Sequence, residues 1–260
     1  MIFHRNKGFT LVELLVVMAI ITVLLGVLLP SISRSRQQAQ SILCLNNLRQ
    51  MSIAAVNYTL ANNAYYPLAY YTQKVGKVRY YYTWDFTTYK DWSVTPPKEI
   101  IEPGILWQKV TIEKVQQCPS FKGSANWLTD TYTGYNYNTS YIGMDETVWP
   151  YNSVRTAKVK RPSETVIFGD GQWENGANKF MRAPWKSKGD TFQNRIAGTQ
   201  GYRHLGKTNA AFCDGHVQSL KDRFTNTDDT CGKQSFDEYN KTHSEKIGFL
   251  SPDNSLYDLE

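Results

Sequence analysis

Residues 9–29 read FTLVELLVVMAIITVLLGVLL, an apolar run close to the ~20 residues that cross a bilayer as a helix, carrying one charge, Glu13. Nothing after Pro30 approaches that density, so the chain divides into one membrane segment near its start and a large domain outside the bilayer. That remainder is long enough, in a chain of 260 residues, to bury a real core. Its aromatic content, with 17 Tyr and 7 Trp, argues for a folded domain and against disorder. The net charge of +6 is scattered, and no Lys/Arg block is dense enough to serve a nucleic acid, which excludes that partner class.

Three readings compete for the start. A secretory signal places its cleavage site beyond the apolar stretch, after small residues; Gly26 and Ser31 make no such site, and the run is longer than a signal's usually is. A plain anchor fits the length but leaves Glu13 unexplained, since a carboxylate inside an apolar helix costs about 2.5–3.5 kcal/mol. The third reading uses the segment Lys7-Gly8-Phe9-Thr10-Leu11-Val12-Glu13-Leu14-Leu15, which follows a short basic leader. It resembles the processing site of type IV prepilins and type II secretion pseudopilins.

That resemblance implies cleavage between Gly8 and Phe9 by a prepilin peptidase and methylation of the new Phe9 amine. The apolar helix then stays attached to the inner, cytoplasmic membrane as a single pass, with the C-terminal domain periplasmic or extracellular. Glu13 is expected to pair with the cationic amine of a neighbouring subunit, two otherwise costly charges satisfying each other in an assembled filament. The implied partners are the prepilin peptidase, other pilin or pseudopilin subunits, an inner-membrane assembly platform and membrane lipid. Loop charge barely sets the orientation, because Arg5 and Lys7 on one side face Arg34 and Arg36 on the other.

Beyond Pro30, which kinks rather than ends a helix, Leu45, Leu48, Met51, Ala55 and Tyr58 recur at spacings of three and four, one buried stripe that stops near Asn62-Asn63. The expected organisation is a leader at 1–8, a transmembrane half-helix at 9–30, an amphipathic half at 31–63, a β-rich domain at 64–222 and a polar tail at 223–260. Strands are predicted at Tyr80–Trp84, at Thr165–Phe168 and on both sides of Asp214-Gly215, whose pairing signals a tight hairpin with positive φ at both turn positions. Residues 85–160 give no clear pattern. The fold class is therefore α+β, a long N-terminal helix packed on an antiparallel sheet, as in pilins.

A second resemblance runs along the whole chain. His204 stands nine residues before Asp214-Gly215, and Asn46-Asn47-Leu48-Arg49-Gln50, Gln117-Cys118-Pro119-Ser120, Gly134-Tyr135-Asn136-Tyr137-Asn138 and Pro162-Ser163-Glu164-Thr165 precede it in order. Together they resemble the H-x9-DG domain that accompanies prepilin-type N-termini in a large bacterial family. Cys213 and the tail after Asp222 depart from that pattern. Two readings of the motif stay open: a structural one, with Asp214-Gly215 making a turn and His204 bonding nearby backbone, and a divalent-metal site built from His204, Asp214, His216 and Asp170. The loop pattern of a pseudopilin calcium site is not recognisable.

Cys44, Cys118, Cys213 and Cys231 all follow the membrane run, in a compartment that permits disulfides. Three pairings exist; Cys44–Cys118 would staple the helix to the domain, and Cys213–Cys231 joins the two places that depart from the family pattern. Four reduced thiols are the alternative. No nucleophile–base pair, phosphate loop or nucleotide fingerprint is present, so the expected role is structural and not enzymatic, with no organic cofactor. A membrane-anchored or filament-tip module that binds glycan or cargo is the alternative, motivated by Tyr65, Tyr66, Tyr70, Tyr71, Tyr80, Tyr81, Tyr82, Trp84, Trp92 and Trp107.

Overall fold

The computed structural model describes residues 9–110, 113–127, 130–144, 152–174, 176–187, 192–228 and 232–260. Helix α1 runs Leu11–Ala61 and is not ended by Pro30, whose missing N–H costs one bond in a helix of 51 residues. The Asn62 side chain caps the Tyr58 carbonyl at 2.8 Å and Asn63 turns left-handed at φ 52°, which ends the helix where the asparagine pair predicted. Contacts divide the chain into Met1–Ala39 and Gln40–Glu260. In the first unit the apolar side chains from Leu11 to Ile32 lie bare along the helix.

In the second unit α1 buries Cys44, Leu48, Met51, Ser52, Ala55 and Thr59. The seam keeps the predicted spacing but shifts by one residue at each end, from Leu45 to Cys44 and from Tyr58 to Thr59. Small groups stand beside the larger Leu48 and Met51 along the seam, and the hydroxyls of Ser52 and Thr59 donate back to the carbonyls of Leu48 and Val56, which leaves no orphan polar atom in the seam.

Strands β1 (Tyr70–Val75), β2 (Val78–Thr83), β3 (Phe86–Asp91) and β4 (Lys98–Pro103) form an antiparallel meander in chain order. Six short strands follow: β5 (Asn136–Asn138), β6 (Val166–Gly169), β7 (Phe180–Met181), β8 (Gln200–Gly201), β9 (Thr208–Phe212) and β10 (Val217–Leu220). Helix α2 (Gly232–Thr242) and β11 (Ile247–Gly248) complete the chain. The central sheet has the order β10-β9-β6-β5-β7, antiparallel except for the β5–β7 pair, and β8 pairs with β11. The strands of the 85–160 region escape sequence reading because they carry mixed Lys, Glu and Asn in short runs that alternate with irregular chain.

The central sheet is buried on both faces. Along β9, Ala211 belongs to the core shared with α1, Trp84, Tyr137 and Phe168, whereas Ala210 and Phe212 belong to a second core with Phe236, Tyr239, Phe249 and Tyr257. Residues 223–260 are therefore not a polar tail. They carry α2 and β11, and Phe236, Ile247, Phe249 and Tyr257 are wholly buried. The sequence hides this because those apolar residues are spaced singly among Asn, Asp, Lys and Thr. The Asn138 side chain ties the segment down, donating at 2.8 Å to both the Val166 and the Tyr257 carbonyls.

A buried ion triad joins the meander to the central sheet. Lys179 Nζ sits 2.8 Å from both Asp85 Oδ2 and Asp130 Oδ1, and 4.4 Å from the centre of the Trp127 ring. One ammonium serves two carboxylates. Burial, reinforced by the Asp85 charge, therefore lifts the Asp130 carboxyl from its ordinary 3.8 to about 6, against the pull of Lys179.

Two predictions follow from this packing. Phe249→Ala removes a wholly buried ring from the second core and is expected to destabilise the domain by about 3–5 kcal/mol; denaturant unfolding of the full chain in detergent, read by tryptophan fluorescence, checks it. An unchanged midpoint would mean that the C-terminal segment contributes nothing to the core. Asp130 holds its proton to about pH 6 when folded but only to about pH 4 when unfolded, so its contribution favours the fold on the acid side and is lost as pH rises through that window. Asp130→Asn, which fixes the uncharged form, should flatten the stability profile between about pH 4 and pH 6; an unchanged slope would sink the assignment.

Candidate functional site

At the N-terminus, Gly8 lies outside the described residues, and Phe9 is exposed. Thr10 and Glu13 close a reciprocal cap: the Thr10 N–H and hydroxyl donate to Glu13 Oε2 at 2.8 and 2.7 Å, and the Glu13 N–H reaches Thr10 Oγ1 at 3.2 Å. A Thr-x-x-Glu sequence at a helix start makes this box by itself, because it satisfies amides that have no carbonyl partner one turn back. Glu13 therefore has two separate uses, a local cap and a charge on an otherwise apolar helix.

The second constellation is buried in the larger unit. Cys44 comes from the seam of α1. Cys118 follows a short 3-10 turn and is fixed by its N–H to the Thr133 carbonyl at 3.1 Å. Asp170 directly follows β6, where its N–H donates to the Asn209 carbonyl at 3.1 Å. His204 opens a tight turn whose two central residues, Leu205 at φ 54° and Gly206 at φ 78°, are both left-handed, and it exchanges backbone bonds with Lys207 at 3.0 and 3.1 Å. One ligating atom from each of the four side chains falls within 4.8 Å of all the others.

The internal geometry is tight. The Cys44 thiol donates to Asp170 Oδ1 at 3.0 Å, and His204 Nε2 lies 3.2 Å from Asp170 Oδ2 and 3.7 Å from Cys118 Sγ. The sulfurs of Cys44 and Cys118 stand 3.7 Å apart as two free thiols, within hydrogen-bond reach and without a disulfide. The Arg203 guanidinium completes the cluster, donating from Nε to Cys118 Sγ and from Nη2 to Asp170 Oδ1, each at 3.3 Å, and also to the Gly134 carbonyl.

The charges in this pocket set one another. Burial alone would raise the Asp170 carboxyl, yet Arg203 and His204 outweigh it and hold it below the ordinary carboxylate range. Burial likewise opposes a charge on His204, but Asp170 prevails and lifts the imidazole to about 9. Burial also works against a Cys118 thiolate, and the Cys44 hydrogen bond and Arg203 overcome it, bringing that thiol well below its usual value; the Cys44 thiol moves the other way, raised by burial and by its bond to Cys118.

The metal quartet expected from the sequence is split by this arrangement. Asp170 and His204 are in the cluster; Asp214 and His216 are not. The latter two pair with each other at 2.6 Å on the exposed hairpin turn. The reason is the strand between them: β9 carries the chain about 17 Å, at about 3.3 Å per residue, from the His204 turn to the opposite end of the sheet. That hairpin also differs in kind from the expected one. Only Gly215 of the pair is left-handed, at φ 90°, and its N–H closes on the Phe212 carbonyl at 2.9 Å, a three-residue loop rather than a two-residue one. Cys213 is a free thiol, and Cys231 lies outside the described residues.

Cys44 and Cys118 were legible as a pair but not as partners of Asp170 and His204, and Arg203 carried no signal beyond its place beside His204. Three of the four motif pieces that precede His204 converge here nonetheless, whereas Pro162-Ser163-Glu164-Thr165 lies at the Asp214 hairpin, where the Pro162 carbonyl accepts the Asp214 N–H at 3.1 Å. The Asn47 side chain donates to the Gln117 carbonyl at 3.2 Å and to the Tyr135 hydroxyl at 3.3 Å, and Ser120 Oγ lies 3.4 Å from His204 Nδ1. Of the aromatic residues, Tyr66, Trp84 and Trp107 are buried in the core. Tyr71, Tyr82, Tyr80 and Tyr89 instead form a row on one face of the meander, with neighbouring ring centres 4.5, 5.8 and 5.2 Å apart.

Comparison with known proteins bears on the N-terminus alone. No curated protein and no solved structure matches the chain. Residues 3–29 match the family described as the prokaryotic N-terminal methylation motif. The segment that holds Gly8, Phe9 and Glu13 is thus of prepilin type, and the apolar helix behind it is long and apolar enough to cross a membrane.

Proposed function

We propose that the chain is a pilin- or pseudopilin-like subunit, cut between Gly8 and Phe9, methylated on Phe9 and assembled through its N-terminal helix into a type IV pilus-like or type II secretion filament. One observation carries the reading: the helix from Leu11 to Ile32 exposes an apolar surface interrupted by a single carboxylate, directly behind a methylation motif. Such a surface must be covered by lipid before assembly and by neighbouring helices afterwards. A head-to-tail contact of that kind does not close on itself and so builds a filament. The peptidase, sibling subunits, assembly platform and lipid are then the partners, the inner membrane is the first location, and the role is structural, with no reaction of its own.

The test separates the two uses of Glu13. Glu13→Gln keeps an acceptor for the Thr10 cap but removes the charge that would meet a neighbour's amine. Cleavage and insertion should be normal, while incorporation into filaments falls by roughly a hundredfold, the effect of about 3 kcal/mol for a buried charge left without its partner. Intact mass of the native chain from membranes with and without a prepilin peptidase checks the first step. A chain starting at methylated Phe9 only when the peptidase is present supports the reading, and residues 1–8 retained in both samples overturn it.

The row of neighbouring tyrosines favours a second reading, a filament-tip or anchored module that binds glycan, because aromatic faces suit the apolar faces of sugar rings. Retention of the chain on immobilised polysaccharide, reduced by Tyr80→Ala and Tyr89→Ala, is the expected result. Failure to bind any polysaccharide removes this reading.

A further inference from the structure

We propose that Cys44, Cys118, Asp170 and His204 form a closed tetrahedral site for a zinc-type divalent cation, which clamps the α1 seam onto the central sheet. The argument begins with edge lengths. Four ligands around zinc, with bonds of about 2.3 Å to sulfur and about 2.0–2.1 Å to nitrogen and oxygen, stand about 3.8 Å apart between sulfurs and about 3.4–3.6 Å apart for the other pairs. The observed separations are 3.7 Å for Cys44–Cys118 and 3.7 Å for Cys118–His204, and the Asp170 carboxylate lies between the ligands His204 and Cys44, with Oδ2 3.2 Å from His204 and Oδ1 3.0 Å from Cys44. The remaining pairs stay within 4.8 Å. Seating the ion asks the closest pairs to open by a few tenths of an ångström and the wider ones to draw in toward the edges of the tetrahedron.

The donor set and its surroundings agree with that geometry. Two thiolates, one imidazole and one carboxylate suit a borderline-soft, tetrahedral ion and are a poor set for calcium or magnesium, which take oxygen. The groups behind the ligands are in place: Ser120 Oγ stands 3.4 Å from His204 Nδ1, the Asn209 N–H bonds Asp170 Oδ2 at 2.7 Å, and Arg203 Nε bonds Cys118 Sγ at 3.3 Å. The charge count closes as well. Two thiolates and a carboxylate against a divalent cation leave one negative charge, which the Arg203 guanidinium offsets. All four ligands are buried, so no position is open to substrate, and the ion is structural rather than catalytic.

The decisive experiment uses the full chain in detergent, purified without chelators. Elemental analysis should give one zinc per chain, and cobalt(II) added to the metal-free, reduced protein should produce tetrahedral ligand-field bands together with thiolate-to-cobalt charge transfer, displaced by zinc. Cys118→Ser and His204→Ala should lower metal retention by at least about tenfold, within the range expected when a site loses a ligand or its support. Cys213→Ser, outside the cluster, should retain it in full. The wild-type cobalt spectrum decides the matter even where a variant fails to fold. A reduced wild-type chain that takes up neither metal overturns the proposal. So does a native chain holding a Cys44–Cys118 disulfide that, once reduced, still binds none, or a Cys213→Ser chain that loses the metal.

Discussion

The larger unit depends on one buried carboxylate. Asp170 Oδ2 accepts the Asn209 N–H, its other oxygen takes the Cys44 thiol and the Arg203 guanidinium, and His204 stands against it at 3.2 Å. These contacts tie β9, α1 and the turn after β8 to the end of β6, four segments far apart in sequence. A carboxylate wholly out of water is tolerable only because every lone-pair direction is used, and that requirement makes the arrangement specific. A shift of α1 by one turn would withdraw Cys44 and leave Asp170 Oδ1 with the Arg203 guanidinium alone. The network thus fixes the register of the helix on the sheet at one end of a seam in which Leu48 and Met51 supply the large apolar groups and Cys44, Ser52, Ala55 and Thr59 the small ones.

Around this centre the sheet works as a partition. β6 and β9 face one core built with α1 and a second built with α2 and the C-terminal segment. Short strands in the middle of such a sandwich can be wholly apolar or neutral, as Thr208–Phe212 is, because neither face meets water. The meander β1–β4 is different, with Lys, Arg and Glu on its outer positions, and it is joined to the centre through Lys179, Asp85 and Asp130. Two ionic knots therefore locate the meander and the helix, while apolar packing supplies the bulk of the stability.

How much of this the sequence disclosed depends on the range of the interaction. The helix, its stop at Asn62-Asn63, strand β6 and the hairpin around Asp214-Gly215 are local events, and local patterns predicted them. The kind of hairpin was less legible, since Asp-Gly serves both a two-residue and a three-residue loop and only the backbone φ at Asp214 distinguishes them. The C-terminal segment was misread because burial there rests on Phe236, Ile247, Phe249 and Tyr257 placed singly, with partners scattered along the chain: Ile247 pairs with Gly201, Phe249 with Phe224, and the Tyr257 carbonyl with Asn138. The cluster shows the same limit. His204 and Asp214 are close in sequence and far in space, while Cys44 and Asp170 are the reverse. Spacing along a chain reports proximity only when no strand intervenes.

On the proposed reading, Glu13 and Asp170 illustrate two answers to one problem, a carboxylate placed where water is excluded. Asp170 is answered inside the subunit, by partners drawn from its own chain. Glu13 is answered locally by Thr10 only as far as a cap can reach, and its charge sits on a helix that exposes apolar side chains from Leu11 to Ile32. On the proposed reading that difference is the division of labour in the molecule. A self-satisfied domain folds without neighbours and stays folded through the passage from membrane to filament. A helix left with bare apolar surface and a carboxylate with no counter-charge among the described residues is stable in lipid but better satisfied beside its copies. The drive to assemble then comes from what the first unit lacks, and the constancy of the domain comes from what the second already has.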